Sequence, residues 1–418
     1  MTKYYPLKKI FHQDEQLFKT ELNKRQNGYG SFLTSLEITP IVGGAFSKEK
    51  VNLFLVNIPE LMKLYEDIMK NSKIISLKAQ NMPTHALQQY MDSLLINELQ
   101  STNEIEGVRS SKKEIAEAIE ELNSKKDEKK VKRFIGLVKL YQHIGDYHKL
   151  NRVEQFREIY DELVADEIEA ENCVLDGNIF RKSFVGVTKN GEFMHKGVEP
   201  ETRIIDYLNR LLNFLENDEM PDLYKYMIAH YYFEYIHPFY DGNGRTGRYL
   251  VCSLVHANLD MFSSVTFSYV INRHRDEYYK SFEEASNPLN QGEMTFFCMK
   301  MLTFLLEGQE RIIDDMEEKE SNLNRMEKSI GEIIKIDPGL KTFDYSVFYL
   351  ISQSWLFSRK LSRLSNKDIA EALNVGRKKV DTSMQKLIDR GYLTKVRNNP
   401  IVYTLDQNCA QELLSQNM

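Results

Sequence analysis

His237-Pro238-Phe239-Tyr240-Asp241-Gly242-Asn243-Gly244-Arg245-Thr246-Gly247-Arg248 decides how this chain is read. Pro238 and the turn formers Gly242, Asn243 and Gly244 stop one helix, and Thr246 onward starts another. Glycine lets the backbone take positive φ and lets a ligand come close. Successive N–H groups there, with the N-terminus of the second helix, make an anion nest. Arg245 and Arg248 fall three apart on that helix, on one side, and guanidinium groups grip phosphate oxygens in pairs. Asp241 is the hard oxygen ligand of the loop; Mg²⁺ on a nucleotide takes one or two carboxylates beside phosphate oxygens and water. His237 is the one nearby group that titrates near neutral pH, which suits a general base acting on an attacking hydroxyl. A helix–helix turn with a buried histidine explains His237 alone. It does not explain a base, a metal ligand, an anion nest and two arginines together. No G-x-x-x-x-G-K-[ST] occurs, so this is not a Walker loop.

Working outward, helical patterns flank the loop at about 201–217 and 222–236, and again through Leu250 and Val255. Upstream, Phe184-Val185-Gly186-Val187-Thr188 and Glu192-Phe193-Met194-His195 flank Lys189-Asn190-Gly191, a hairpin signal inside a helical chain. Taken alone, it is equally a surface excursion and a functional edge. Residues 133–170 are helical in pattern, and the charged segment Asn123 to Lys132 is a solvated turn or a frayed helix end. From about 48 to 123 the pattern is helical, with Leu87, Met91, Leu95 and Leu99 on one face. Gly107 falls where that helix stops, and Ser110 or Ser111 caps the next one, through Glu114, Ile115 and Ile119. Residues 1–45 read as an irregular N-terminal wrap.

Downstream, helices cover about 275–286 and 292–318, and the acidic run Glu307 to Glu320 is a solvated face leading into a linker. The end of the chain has its own pattern. Asn366 to Leu373 is a helix, Asn374-Val375-Gly376 a turn, and Arg377 to Arg390 a second helix with Val380, Met384 and Leu387 on one face. Gly391-Tyr392-Leu393 and Ile401 to Leu405 are strands around Asn398-Asn399-Pro400, which makes a winged helix-turn-helix.

At 418 residues the chain exceeds one hydrophobic core, so two or three domains are expected. The net charge of −6 argues against wholesale nucleic-acid binding. Residues 340–418, however, carry 12 Lys/Arg against 7 Asp/Glu, which suggests a C-terminal module with a partner of its own. Cys173, Cys252, Cys298 and Cys409 lie far apart with no C-x-x-C pair, so free thiols in a reducing compartment are expected. The N-terminus has no apolar run behind its charges and nothing approaches a membrane span, so a cytoplasmic location is expected and no membrane partner. There are no internal repeats.

The motif loop is similar at every defined position to the signature of the Fic family, H-P-F-x-[DE]-G-N-G-R-x-x-R, and the resemblance reaches across about 90–300. The resemblance implies an all-α Fic core that transfers AMP from Mg-ATP to a Ser, Thr or Tyr hydroxyl of a target protein, releasing pyrophosphate. By the same resemblance His237 is the base and Asp241 holds Mg²⁺. Asn243 and the amides of Gly242–Gly244 cradle phosphates, with Thr246 and Gly247 on the same nucleotide-binding turn. Arg245 and Arg248 hold the β- and γ-phosphates, and Phe239 anchors the loop. The hairpin resembles the Fic flap, which docks the target by strand addition and covers the nucleotide at Val185, Gly186, Val187 and Thr188. Tyr278-Tyr279 resembles the tyrosine pair beside the adenine; Ser286 stands where some members have Asn.

Thr102-Asn103-Glu104-Ile105-Glu106-Gly107 is similar to the family's inhibitory pattern [ST]-x-x-x-E-[GN]. A paired-fork contact of Glu106 with Arg248 would take the guanidinium meant for the γ-phosphate and misplace the α-phosphate. The expected layout is an N-terminal extension at 1–125 with the inhibitory helix at about 87–107. A catalytic core at 126–305, a helical linker at 306–338 and the winged helix at 339–418 follow. Two other readings stay open. The same site run in reverse would remove AMP from a modified protein. Arg377, Lys378 and Lys379 could instead make the chain a regulator that binds DNA, or a protein, through residues 340–418. Transfer of UMP, GMP or phosphocholine, self-modification and a homodimer are also open.

Overall fold

The computed structural model describes residues 4–42, 45–47, 49–123, 133–147, 149–164, 175–189, 192–217, 219–358, 364–398 and 401–415. The expected turn at 124–132, the helical continuation at 165–170, Cys173 and the Asn190-Gly191 and Asn399-Pro400 turns lie outside them. The chain divides into two compact units, Met1–Lys73 with Asn97–Glu310, and Ile74–Ile96 with Arg311–Met418.

The first unit opens with α1 (Leu7–Gln13) and α2 (Glu15–Gln26), the latter capped by Asp14, whose carboxylate accepts the N–H groups of Gln16 and Leu17. Here the expectation of an irregular wrap fails. Antiparallel strands β1 (Ser31–Ile38) and β4 (Val51–Val56) follow, with the two-residue strands β2 (Ile41–Val42) and β3 (Ala45–Phe46) between them. The pattern in β1 is alternation: Thr34, Leu36 and Ile38 are buried while Leu33 and Ser35 are not. In β4 three consecutive residues, Leu53, Phe54 and Leu55, are fully buried, so both faces of the strand are covered; Phe54 also exchanges backbone hydrogen bonds with Gly292 and Met294. A strand covered on both faces reads as a continuous apolar run, which a helical reading absorbs easily.

Helices follow: α3 (Pro59–Gln80), α4 (Thr84–Ile105), α5 (Lys112–Asn123), α6 (Ile135–Gln142) and α7 (Glu154–Val164). Within α4, Leu95 and Leu99 are buried, but Leu87 and Met91 are only half-buried; Ala86 and Tyr90 hold the buried positions one residue earlier. Gly107 ends the helix with φ +73°, and Ser111 with Glu114 forms the expected cap of α5. The hairpin pairs β5 (Gly186–Lys189) with β6 (Glu192–Lys196), with an irregularity between Val187 and Thr188. Then come α8 (Glu201–Asn217), α9 (Asp222–Ile236), α10 (Asn243–His256), α11 (Phe267–Arg273) and α12 (Arg275–Ala285).

α13 (Thr295–Ile336) is far longer than expected. Ile312, Met316, Leu323, Met326 and Ile330 are all buried, so an apolar stripe runs through the acidic segment and beyond it. In the second unit, Met326 and Ile330 join a core with α14 (Thr342–Phe357), α15 (Asn366–Ala372), α16 (Arg377–Asp389) and α17 (Gln407–Ser415). Its sheet has the order β7-β9-β8, from Leu364–Ser365, Ile401–Leu405 and Leu393–Asn398. Ser365 and Asp368 form a capping box at α15, and Val380, Met384 and Leu387 are the buried face of α16. Cys252, Cys298 and Cys409 are buried free thiols, and no helix among the described residues is long and apolar enough to cross a membrane.

Candidate active site

α9 is buried along nearly all of its length, and it stops at His237, whose φ of +52° and following Pro238 end the helical ladder. The His237 N–H still bonds back to Phe233. The loop then folds on its own side chains. Phe239 is fully buried, stacked on Tyr160 at 3.7 Å between ring centres and tilted against Phe180. Asn243 Oδ1 accepts the Phe239 N–H at 3.0 Å while its Nδ2 donates to the Phe239 carbonyl at 2.8 Å. That makes Asn243 a pin of the loop, and leaves its backbone N–H for any anion. Gly242, at φ +77°, caps α10, so this helix starts at Asn243, three residues before the expected Thr246. Thr246 Oγ1 donates to the Gly242 carbonyl at 2.9 Å and locks that first turn.

His237 Nδ1 faces the carbonyl oxygen of Glu234 at 3.3 Å. A carbonyl only accepts, so Nδ1 carries the hydrogen and Nε2 keeps its lone pair. Burial, opposed by that hydrogen bond, pushes the imidazole down to about 4, so it is neutral at physiological pH. The backbone of His237 is held from outside the motif. Arg181, fully buried, donates to its carbonyl from Nε at 2.8 Å and also to the carbonyls of Ser183, Val198 and Ile236. One side chain thus ties His237 to both flanks of the hairpin.

Arg248 is 1% exposed. Its Nη2 donates to Glu106 Oε1 at 2.8 Å and to the Thr102 carbonyl at 3.1 Å, and its Nε donates to Thr102 Oγ1 at 3.1 Å. The expected fork between two carboxylate oxygens and two nitrogens is not what forms. Thr102 takes part of the guanidinium because it lies in the last turn of α4, four residues before Glu106. Burial disfavours the charge of Arg248, but Glu106 outweighs it and keeps the group cationic. Gly244 makes the approach possible: a Cβ there would collide with Glu106 Oε1. Arg245 does not share this face. Residues three apart on a helix diverge by roughly 60°, and Arg245 is buried with its Nη2 3.8 Å from the position of a Gly242 Cβ.

His237, Gly244, Arg248 and Glu106 line one cavity of about 450 Å³, closed on the far side by Tyr278, Tyr279 and Ser286. Tyr278 is buried and bonded to His230 Nε2 at 2.8 Å; Tyr279 is 42% exposed at the mouth. From the hairpin, His195 reaches the cavity, its Nε2 donating to the Tyr235 carbonyl at 2.7 Å. Val185 and Gly186 do not line it, and Val187 and Thr188 are placed only through backbone pairing with His195 and Phe193. Glu234 also lines the cavity, a residue to which the sequence reading gave no role. Burial, and then Glu106, raise its carboxyl to about 8, against the pull of Arg248.

Asp241 is exposed at the tip of the loop, where its Oδ1 accepts the Gly242 N–H at 2.6 Å. No group of three His, Cys, Asp or Glu among the described residues is placed to hold an ion by itself. A single accessible carboxylate beside a glycine turn fits a Mg²⁺ ion whose other ligands are phosphate oxygens and water.

Comparison with known proteins gives the same answer as the loop. Residues 149–255 match the model of the Fic/DOC family. A probable protein adenylyltransferase of Aquifex aeolicus (strain VF5) is 29% identical over 207 residues, 48% of this chain and 57% of that protein, so the chain spans little more than half the length of this relative. A Fic family protein from Desulfovibrio desulfuricans G20 shares the fold, with a TM-score of 0.50 at 19% identity over 84% of this chain and 97% of that one. A neutral histidine, a glycine turn and a buried arginine around one cavity, on a segment that matches this family's model, mark residues 149–255 as a Fic/DOC domain.

Proposed function

We propose that this chain is a protein adenylyltransferase that uses Mg-ATP and is held inactive by its own Glu106. The observation that carries the reading is the pairing of a neutral His237 with a cationic Arg248 across one cavity. His237 Nε2 takes the proton of a target hydroxyl as its oxygen attacks the α-phosphorus. The bond from that phosphorus to the bridging oxygen breaks, and pyrophosphate leaves. The N–H groups of Asn243 and Gly244 at the start of α10 would face the phosphates, while Gly242, Thr246 and Gly247 shape the turn, with Arg248 on the terminal phosphate and Arg245 bracing the turn. Asp241 would hold Mg²⁺, which neutralises phosphate charge when bound. Tyr278 and Tyr279 would flank the base of the nucleotide, and the hairpin from Val185 to Thr188 would dock the target segment.

Glu106 competes for Arg248 with the γ-phosphate, so ATP bound beside it places its α-phosphate out of line. Thr102 and Gly107 set that competition by gripping the guanidinium and ending the helix. Incubating cell lysate, and the chain itself, with ATP labelled on its α-phosphate tests this. Glu106→Gly is expected to raise labelling about tenfold to a hundredfold, the worth of a charge-assisted hydrogen bond, and His237→Ala added to it to abolish labelling. Equal labelling by native and Glu106→Gly protein would remove the self-inhibition. Labelling that survives loss of His237 would remove the mechanism.

The same Glu106 carboxylate, lining the cavity with His237, also supports hydrolytic removal of AMP from a modified protein. Loss of label from a pre-labelled target with native protein but not with Glu106→Gly would favour that reading. The second unit adds a winged helix whose Arg377, Lys378 and Lys379 are exposed at the start of α16, a position from which DNA or protein is contacted. A gel shift that weakens with salt would decide for DNA. A cytoplasmic setting suits both substrates.

A further inference from the structure

Thr102 is only part of one face of α4, and Glu106 stands one residue past the end of that helix. Glu98, another turn earlier, is fully buried, and its two oxygens accept the N–H groups of Ser268 at 2.8 Å and Tyr269 at 2.9 Å, the first turn of α11. The Cys252 thiol, on α10, reaches the same carboxylate at 3.5 Å. Six residues on, Glu104 Oε2 accepts from Asn272 Nδ2 at 2.7 Å and lies 3.9 Å from Arg275 Nη2, at the other end of α11. α4 and α11 therefore run parallel, with a carboxylate of α4 at each end of α11. After one further residue, His274, α11 gives way to α12, which carries Tyr278 and Tyr279 of the cavity wall.

We propose that Glu98 and Glu104 are positioning residues of the self-inhibition: they clamp α11 at both ends and so fix the register in which Glu106 meets Arg248. The inference rests on the self-inhibited reading above. A helix is free to slide or tilt along a purely apolar interface at small cost, because side chains repack. Two carboxylates tied to groups at fixed points of α11 remove that freedom. Glu98 is suited to the task. Burial works against its charge, while the Ser268 and Tyr269 N–H groups and the Cys252 thiol stabilise it, so removing the carboxylate strands two backbone donors in the core. Glu98→Gln keeps the shape but turns an NH₂ group toward one of those N–H donors, which breaks one of the two bonds.

The test uses the full chain with α-labelled ATP, scoring label on the chain itself and on lysate proteins, in the native and the Glu106→Gly backgrounds. Glu98→Gln is expected to raise labelling about tenfold in the native background, and Glu104→Gln, nearer solvent, about two- to threefold. Neither is expected to add anything once Glu106 is gone. Hydrogen exchange at Glu106 and Gly107 should quicken in step. Unchanged or reduced labelling by Glu98→Gln, while Glu106→Gly is active, overturns the clamp; so does an equal rise in both backgrounds. Should Glu98→Gln fail to fold, Glu104→Gln and Asn272→Ala decide alone, and no rise from either overturns it. If Glu106→Gly itself brings no rise, self-inhibition has failed and the clamp falls with it.

Discussion

His237 and Arg248 stand at the two ends of one short loop, yet different parts of the chain hold them. His237 is fixed by its own helix, through the Glu234 carbonyl, and by Arg181 behind it. None of those partners is one that a nucleotide must displace. Arg248 is fixed by Thr102 and Glu106, 146 and 142 residues away in sequence, through the same donors a phosphate needs. Under the proposed function, the base would therefore be built permanently, whereas the cation would be borrowed. Chemistry written in a contiguous motif would then have its state set by a helix outside that motif.

The sharpest way to break this contrast is at the base. In the Glu106→Gly background, where Arg248 is available, His237→Ala should lower AMP labelling about 10²- to 10⁴-fold. A smaller loss would mean that another group takes the proton. Next comes the brace. Arg181→Leu leaves the carbonyls of Ser183, Val198, Ile236 and His237 without their buried donor. Unfolding in urea should show a loss of roughly 3–5 kcal/mol, and labelling should fall alike in native and Glu106→Gly protein. Dependence on Glu106 would show that the base is not independent of the brake. Gly244→Ala probes the borrowed cation. Its Cβ would collide with Glu106 Oε1, so labelling should rise a few-fold in the native chain by displacing that carboxylate. In Glu106→Gly the same methyl relieves nothing and should lower labelling. The same sign in both backgrounds would dissolve the contrast.

The two ends of the loop also differ in how legible they were. That His237, Gly244 and Arg248 meet at one cavity was legible because they follow one another along a single turn, and the roles expected of them and of Asp241 rest on the proposed function. The pairing of Arg248 with Glu106 was legible only through the family pattern around Gly107. Arg181 and Glu98 were not legible at all. Each is a charged residue whose partners are backbone groups of remote segments, Val198 and Ile236 for one and Ser268 and Tyr269 for the other. No spacing rule reports such contacts. The strand pair β1–β4 escaped for a related reason. Leu53-Phe54-Leu55 is apolar throughout because both faces of the strand are buried, and Gly292, which Phe54 also pairs with, is far along the chain. Local period carries a strand only where one face meets water.

The mildest test concerns the protons around the two ends. Burial holds His237 near 4 and His195 near 3, so the unfolded chain takes up protons below about 6.5 that the folded chain refuses. Their contribution to stability is complete above about 6.5 and is lost as pH falls toward those values. In Glu106→Gly, labelling should accordingly hold down to pH values well below 6.5, because the base stays neutral. Glu234, beside Arg248, works in the opposite direction. Its carboxyl is raised from 4.5 to about 8, so the stability it contributes is complete below its unfolded value and is lost as pH climbs through about 8. Between about pH 7 and 8.5 the histidines are silent, and native protein should lose about 1 kcal/mol that Glu234→Gln does not lose. Glu106→Gly should flatten the same slope, because Glu106 is one cause of the shift. A slope that survives Glu234→Gln would place the titrating group elsewhere.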